Sequence, residues 1–212
     1  MTKIKAIIWD LDGTVADSMY LHTSVESELF KEYGRDIPYT YLMDNCRGIP
    51  FEKTFRKFVK DESINTVDIL KEKHEILLKR AKGNIKEILG ATKIIKELNK
   101  RGFLQAIGSS GHHAIIKLEL EELNLQNIFK VVSCVQDVEH GKPAPDIFIH
   151  AAKQLNVKAE ECIVIGDGHS DIIAAKAANM KSIALVEDTN NDWPANLKVT
   201  KLEDINLDFF NQ

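Results

Sequence analysis

The stretch that most limits how this chain can fold is KIKAIIWDLDGT, residues 3–14. Ile4, Ala6, Ile7, Ile8 and Trp9 form a nearly continuous apolar run, the pattern of a strand buried on both faces. The run breaks off into Asp10-Leu11-Asp12-Gly13-Thr14. Residues two apart on an extended chain share a side, so Asp10 and Asp12 are predicted to converge just past the carboxyl end of the strand. Open α/β sheets bind their ligands at that edge. Two carboxylates placed side by side repel unless a cation or a proton is shared between them. The pair therefore points to a metal, to proton transfer, or to both.

Beyond Thr14 the pattern turns helical. Val25, Leu29 and Phe30 recur at helical spacing up to a stop at Tyr33-Gly34. Residues 36–50 read as irregular, with two prolines and Gly48, and Phe51, Phe55, Phe58 and Val59 then mark one face of a second helix. A third is predicted over 67–81. With no strand pattern in it, the block 16–85 reads as an inserted all-helical domain.

From residue 91 helix and strand alternate. Helices are predicted at 91–100, 114–123, 146–155 and 172–178, and strands at 103–108, 128–132, 162–165 and 182–186. A short strand near Val199 and a helix from Leu202 complete the chain. This rhythm predicts right-handed βαβ units on a parallel sheet. The expected fold class is α/β, with a Rossmann-like parallel sheet core built from 1–15 and 86–212.

Composition narrows the function classes. With 44% hydrophobic and 28% charged residues in 212, the chain reads as globular. A net charge of −4 argues against a nucleic-acid binder, whose usual footprint is a basic patch. No apolar run approaches the ~18 residues of a membrane span, and the N-terminus lacks a signal-peptide pattern. Cys46, Cys134 and Cys162 are odd in number, widely spaced and without a CxxC pair. Three reduced thiols in a cytoplasmic protein are expected, with no neighbouring feature that points to reactivity.

Three more predicted strands end in chemically telling residues. Ile107-Gly108-Ser109-Ser110-Gly111 leads from strand to helix through small residues, offering backbone N–H groups and hydroxyls to an anion. A serine helix cap with glycine turn chemistry explains the same residues. Gly141-Lys142-Pro143-Ala144-Pro145-Asp146 holds Lys142 in a proline-stiffened turn. It is not a P-loop, because Gln136 replaces the first glycine and Pro143 the Ser/Thr. Finally, Ile163-Val164-Ile165-Gly166-Asp167-Gly168-His169-Ser170-Asp171 is another buried strand running into acids.

Asp10, Asp12, Asp167 and Asp171 would gather up to four negative charges. Lys142 and a divalent cation are needed to hold them together. Hard oxygen donors favour Mg2+. Zinc is not expected, since no His or Cys residues show zinc-ligand spacing. An EF-hand is excluded because Leu21 stands where its bidentate glutamate belongs.

Together these motifs resemble the haloacid dehalogenase superfamily. DLDGT at 10–14, Ser109 after its strand, Lys142 in GKPAPD and GDGHSD at 166–171 occur in the family's order and span most of the chain. The helical block resembles the cap of the subgroup containing phosphoglycolate phosphatases and β-phosphoglucomutases. The resemblance implies that Asp10 is a nucleophile forming an aspartyl-phosphate and Asp12 a general acid and then base. It implies Mg2+ held by Asp10, the Asp12 backbone carbonyl and Asp167, with Asp171 ligating or supporting. Lys142 would offset charge, and Ser109, Ser110 and Thr14 would serve the phosphorylated substrate. An acid at Asp12 points to phosphate esters, since the family's dehalogenases and phosphonatases lack it.

The expected activity is that of a monomeric, Mg2+-dependent phosphomonoesterase acting on a small phosphorylated metabolite. A hexose-phosphate mutase is the alternative, and a non-catalytic binding protein a third reading. His22 aligns with a histidine of β-phosphoglucomutases and of some sugar-phosphate phosphatases. The segment containing Arg47 and Gly48 resembles the cap loop that closes on substrate. Thr14 is the phosphatase-like form of its motif.

Overall fold

The computed structural model describes residues 3–46 and 49–211. In chain order its elements are β1 (Ala6–Trp9), β2 (Ala16–Asp17), α1 (Met19–Glu32), α2 (Tyr39–Asn45), α3 (Phe51–Phe58), α4 (Thr66–Ala81), β3 (Lys86–Glu87), α5 (Ala91–Lys100) and β4 (Leu104–Ser109). There follow α6 (His113–Glu122), β5 (Val131–Cys134), α7 (Asp146–Gln154), β6 (Cys162–Gly166), α8 (His169–Ala177), β7 (Lys181–Leu185) and β8 (Leu197–Val199). The chain divides into two compact units, one of Ser18–Ile85 and the other of the residues before and after it.

The larger unit carries a six-stranded sheet in the order β5-β4-β1-β6-β7-β8, with each neighbouring pair parallel. The α/β expectation is borne out. All four residues of β1 are fully buried, because both faces of this central strand are covered. Ala6 and Ile8 face a cluster with Phe148 and Ala151 of α7, Val164 of β6 and Ala174 of α8. On β1 the Trp9 indole N–H donates to the Gln105 side-chain carbonyl at 2.9 Å, and the Gln105 amide in turn donates to the Ile95 carbonyl of α5 at 2.9 Å. A buried polar atom on each ring and amide is thereby satisfied. The strand order reverses direction at β1, the position at which an open sheet leaves a crevice at its carboxyl edge.

In the helical unit, apolar spacing on α1, α3 and α4 makes an aromatic centre. The Phe30 ring stacks on Phe55 at 5.7 Å and meets Phe51 and Phe58 edge-on. Beside it, Lys73 is buried in an ion pair with Glu26 and lies 4.6 Å over the Phe51 ring.

Several boundaries differ from the sequence expectation. The stretch 36–50 contains α2, which starts directly after Pro38. The fifth strand begins at Val131 rather than 128, because Ile128 donates to the Leu125 carbonyl in a turn and the ladder to β4 opens at Lys130. Helix α8 starts at His169, three residues early. From Leu202 the described residues form two short 3-10 turns, Leu202–Asp204 and Leu207–Asn211, in place of the expected helix. At the edges of the helical insert, β2 and β3 pair antiparallel, a feature the patterns did not show.

Candidate active site

Past Trp9 the chain stays extended for one more residue, with the Asp10 N–H donating to the Ile165 carbonyl of β6 at 2.8 Å. It then folds back at once. The amides of Thr14, Val15 and Ala16 all point at the Leu11 carbonyl. This tight loop needs Gly13 in the left-handed region, at φ 86°. It also brings Gly13 against Asp167: a Cβ placed there would lie 2.5 Å from a carboxylate oxygen of Asp167.

Strands β1 and β6, with the first turn of α8, thus deliver their acids to one place. Asp10, Asp167 and Asp171 each offer an oxygen within 4.8 Å of the others. Thr14 bridges them, its hydroxyl 2.9 Å from Asp167 Oδ1 and 3.4 Å from Asp10 Oδ2. The Lys142 ammonium lies 2.6 Å from Asp10 Oδ1 and 2.6 Å from Asp171 Oδ1. Below the ammonium is the Phe148 ring, 5.1 Å away, and that ring is itself packed against Gly108, where a Cβ would meet it at 2.8 Å. Asp171 is fixed from its other oxygen by the Gly168 N–H at 2.9 Å.

The charges follow from this burial. Asp10, Asp171 and Lys142 are all buried. Loss of water, together with the charges of Asp167 and Asp12, pushes Asp10 up to about 7 although Lys142 opposes it. Burial and then the Asp10 charge push Asp171 up to about 6. Lys142 is held well above the usual lysine value because Asp10 and Asp171 outweigh the cost of burying it. Three carboxylates face one ammonium in a pocket of oxygen donors. That excess of negative charge fits a hard divalent cation such as Mg2+.

The next strand supplies a different surface. Ser109 ends β4 fully buried, and its hydroxyl accepts from the Gly111 N–H at 2.9 Å. Ser110 is exposed at the turn. A Cβ on Gly111 would stand 3.1 Å from Ser109 Oγ and 3.8 Å from an Asp12 oxygen, so the Asp12 carboxylate approaches this turn and is not one of the clustered three. His22 lies on α1 of the helical unit, half-buried, and Arg47 and Gly48 lie outside the described residues. A cavity of about 580 Å³ at the opposite, amino-terminal edge of the sheet, beside Lys5 and Glu161, holds none of these groups.

Gly13, Gly108 and Phe148 were not marked as site residues by sequence. The glycines were visible inside their motifs, but only the fold shows what they press against. A Gly13→Ala variant is expected to be destabilised by ~1–2 kcal/mol through its left-handed backbone. Displacement of Asp167 should also cost up to ~10²-fold in turnover, given what a small misplacement does at a reacting centre. Thermal melts and initial rates check both parts, and a variant with wild-type kinetics would show that the contact with Asp167 is unimportant.

Residues 7–185 match the family model described as haloacid dehalogenase-like hydrolase. Among curated relatives, a pyrophosphatase PpaX of Anoxybacillus flavithermus is 29% identical over 188 residues, covering 84% of this chain and 82% of that protein. Among solved structures, β-phosphoglucomutase from Clostridium difficile superposes with a TM-score of 0.85 at 25% identity, covering 97% and 95% of the two chains. CbbY from Rhodobacter sphaeroides, solved in complex with phosphate, gives 0.81 at 23% identity and covers 93% and 94%.

Proposed function

The chain belongs to the haloacid dehalogenase-like hydrolases, and from that premise we propose that it is a Mg2+-dependent phosphomonoesterase acting on a small phosphorylated metabolite. The observation that carries the reading is the triple junction at the sheet edge. There β1 leads into Asp10, β6 leads into Asp167, the first turn of α8 presents Asp171, and β4 ends in Ser109, with Lys142 bonded to Asp10 and Asp171. Solved CbbY with phosphate and the pyrophosphatase relatives add support from proteins of this fold.

In this reading Asp10 attacks phosphorus and takes the phosphoryl group as an acyl phosphate, releasing the substrate's alcohol. Asp12 gives a proton to the departing alkoxide and then removes one from the water that hydrolyses the acyl phosphate. Ser109, Ser110 and the backbone of their turn hold the phosphoryl oxygens. Thr14 keeps Asp10 and Asp167 apart yet aligned. Lys142 balances the charge that accumulates between Asp10 and the phosphoryl group. Asp10, Asp167, Asp171 and the Asp12 carbonyl are the groups that would hold Mg2+. Bound there, the ion would supply charge stabilisation to the phosphoryl group being transferred. His22, with Arg47 and Gly48, is proposed to act in selecting the leaving group. The helical unit Ser18–Ile85 is proposed as a cap.

The direct test is phosphate release from a panel of sugar and glycolytic phosphates with Mg2+, abolished by a chelator. Silence across the panel in the presence of Mg2+ would overturn the proposal. The likeness to β-phosphoglucomutase keeps a mutase as a second reading. Interconversion of sugar 1- and 6-phosphates, stimulated by bisphosphate and with little phosphate released, would favour it.

Metal binding should also be visible in stability. Free carboxylates titrate near ~4, whereas Asp10 sits at about 7 and Asp171 at about 6 in the fold. Between those values the unfolded chain has lost protons that the folded chain keeps. Folded stability from these groups is therefore greatest below ~4 and falls as the pH rises towards 7. A cation that accepts the ionised cluster reverses the loss. Mg2+ is expected to raise the melting midpoint clearly at pH 8 and little at pH 4.5. An equal shift at both would mean that the ion binds elsewhere.

A further inference from the structure

A second cluster of metal-ligating side chains lies one strand away from Ser109. Cys134 ends β5 as the register partner of Ser109, and its thiol is buried. His113 opens α6, directly after the turn that carries Ser109 to Gly111, and Asp137 closes the 3-10 turn that follows β5. One ligand atom from each of His113, Cys134 and Asp137 lies within 4.8 Å of the others. We propose that these three side chains form a site for a borderline-soft divalent cation of the Zn2+ class, separate from the carboxylate cluster.

Donor chemistry sets the class. An imidazole nitrogen, a thiolate sulfur and a carboxylate oxygen are each donors that Zn2+ takes, and three protein donors leave a fourth position open to water. Mg2+ and Ca2+ prefer oxygen alone. The charges also close. A thiolate and a carboxylate against a dication leave the group neutral, which suits a site whose sulfur is out of water.

Local hydrogen bonding has already arranged the donors. Asp137 Oδ2 accepts from the Cys134 N–H at 2.9 Å, which leaves Oδ1 facing His113 Nε2 at 2.9 Å. Gln136 Oε1 accepts the His113 N–H at 2.9 Å and so fixes the helix start beside the strand end. The sulfur has support of its own. Burial is the strongest influence on the thiol and, with the charge and hydrogen bonding of Asp137, pushes it up to about 11, while the backbone N–H groups of Gln136 and His113 act in the opposite direction by bonding to sulfur. Such N–H groups favour a thiolate over a thiol. His113 and Asp137 are exposed, which gives an ion a way in from solvent.

Binding would break the hydrogen bond between His113 Nε2 and Asp137 and leave the imidazole proton on Nδ1. The thiol proton would go to solvent, so affinity should rise with pH. An occupied site would tie the start of α6, and with it the Ser109–Gly111 turn, to the end of β5.

Co2+ titration of the reduced full-length protein tests this directly, because a Co2+–thiolate bond has its own near-ultraviolet absorption band and the carboxylate cluster contains no sulfur. One equivalent should give the band, excess Zn2+ should bleach it, and Mg2+ should not. Cys134→Ser should abolish the band. His113→Ala and Asp137→Asn, both at exposed positions, should each weaken Co2+ binding by ~10-fold or more, since even outer partners of metal ligands are worth ~10–100-fold. Asp10→Asn should leave the band intact. The proposal is overturned if Co2+ gives no thiolate band, or if the band survives in Cys134→Ser and so belongs to Cys46 or Cys162. It is also overturned if His113→Ala and Asp137→Asn bind Co2+ as well as the wild type. Those two variants keep the test decisive if Cys134→Ser fails to fold.

Discussion

Asp10→Asn is expected to lower turnover by at least ~10³-fold while leaving the protein folded, and at pH 8 no less stable than the wild type. The substitution keeps size and shape but removes the charge that would attack phosphorus. An amide oxygen is a far weaker nucleophile, and the covalent route has no second acid in the same position. The stability half of the expectation comes from the surroundings. Asp10 is buried among Asp167, Asp12 and Asp171, and its carboxyl is pushed up to about 7. An ionised carboxylate there costs free energy at pH 8 that a neutral amide does not. Lys142 keeps Asp171 as a partner at 2.6 Å, so it is not stranded by the change. Steady-state kinetics on a good phosphomonoester and thermal melts on the same preparation check both halves. Activity within ten-fold of wild type would sink the nucleophile assignment. Loss of folding would show that the Asp10–Lys142 pair matters more to the structure than the crowding of acids.

Much of the fold was legible because the strands of this sheet are buried on both faces. A fully apolar tetrapeptide such as Ala6–Trp9 has few alternatives, and helices between such strands must cross over them. Legibility fell where apolar residues serve a turn instead of a ladder. Ile128 and Phe129 look like strand, yet they follow Asn124 at φ 55° and close a turn before pairing begins. Helix α2 was hidden by the prolines around it. Pro38 stands directly before the first turn, where a missing N–H costs nothing, so a stretch whose two prolines read as irregular still carries a helix.

In the site, sequence singled out the charged groups because each stands at the end of a recognisable strand or turn, although the expected gathering of all four acids becomes a cluster of Asp10, Asp167 and Asp171, with Asp12 beside the Gly111 turn. What it does not encode locally is which side chains of separate elements touch one another. Lys142 could be seen as held near the sheet edge, but not as a bridge between Asp10 and Asp171 over the Phe148 ring. The same limit explains the zinc-class cluster. Spacings of 113, 134 and 137 match no zinc-binding pattern, and the exclusion of zinc from spacing alone stops at ligands that separate elements bring together. Glycine was the most informative residue left unused, since Gly13, Gly108 and Gly166 each stand where any side chain would strike a neighbour.

Lys142→Met is expected to be the most disruptive single change to the site, with loss of activity and a fall in stability of about 3–5 kcal/mol at pH 8. Methionine has nearly the same length and can still lie against Phe148, so the packing loss is small. The charge loss is not. It leaves Asp10 and Asp171 facing each other, both buried, with no ammonium between them. Their carboxyls must then rise further, and the sign of the pH dependence follows. Below ~4 both are protonated in the folded and the unfolded chain, so the variant and wild type should differ little. As the pH rises, the wild type ionises against Lys142 and the variant cannot, and the gap in melting midpoint should widen up to pH 8. Adding Asp171→Asn to Lys142→Met removes one of the two stranded charges and should recover part of the stability without restoring turnover. A gap of the same size at pH 4 and pH 8 would instead trace the loss to packing over the Phe148 ring, and the electrostatic role given to Lys142 would fall.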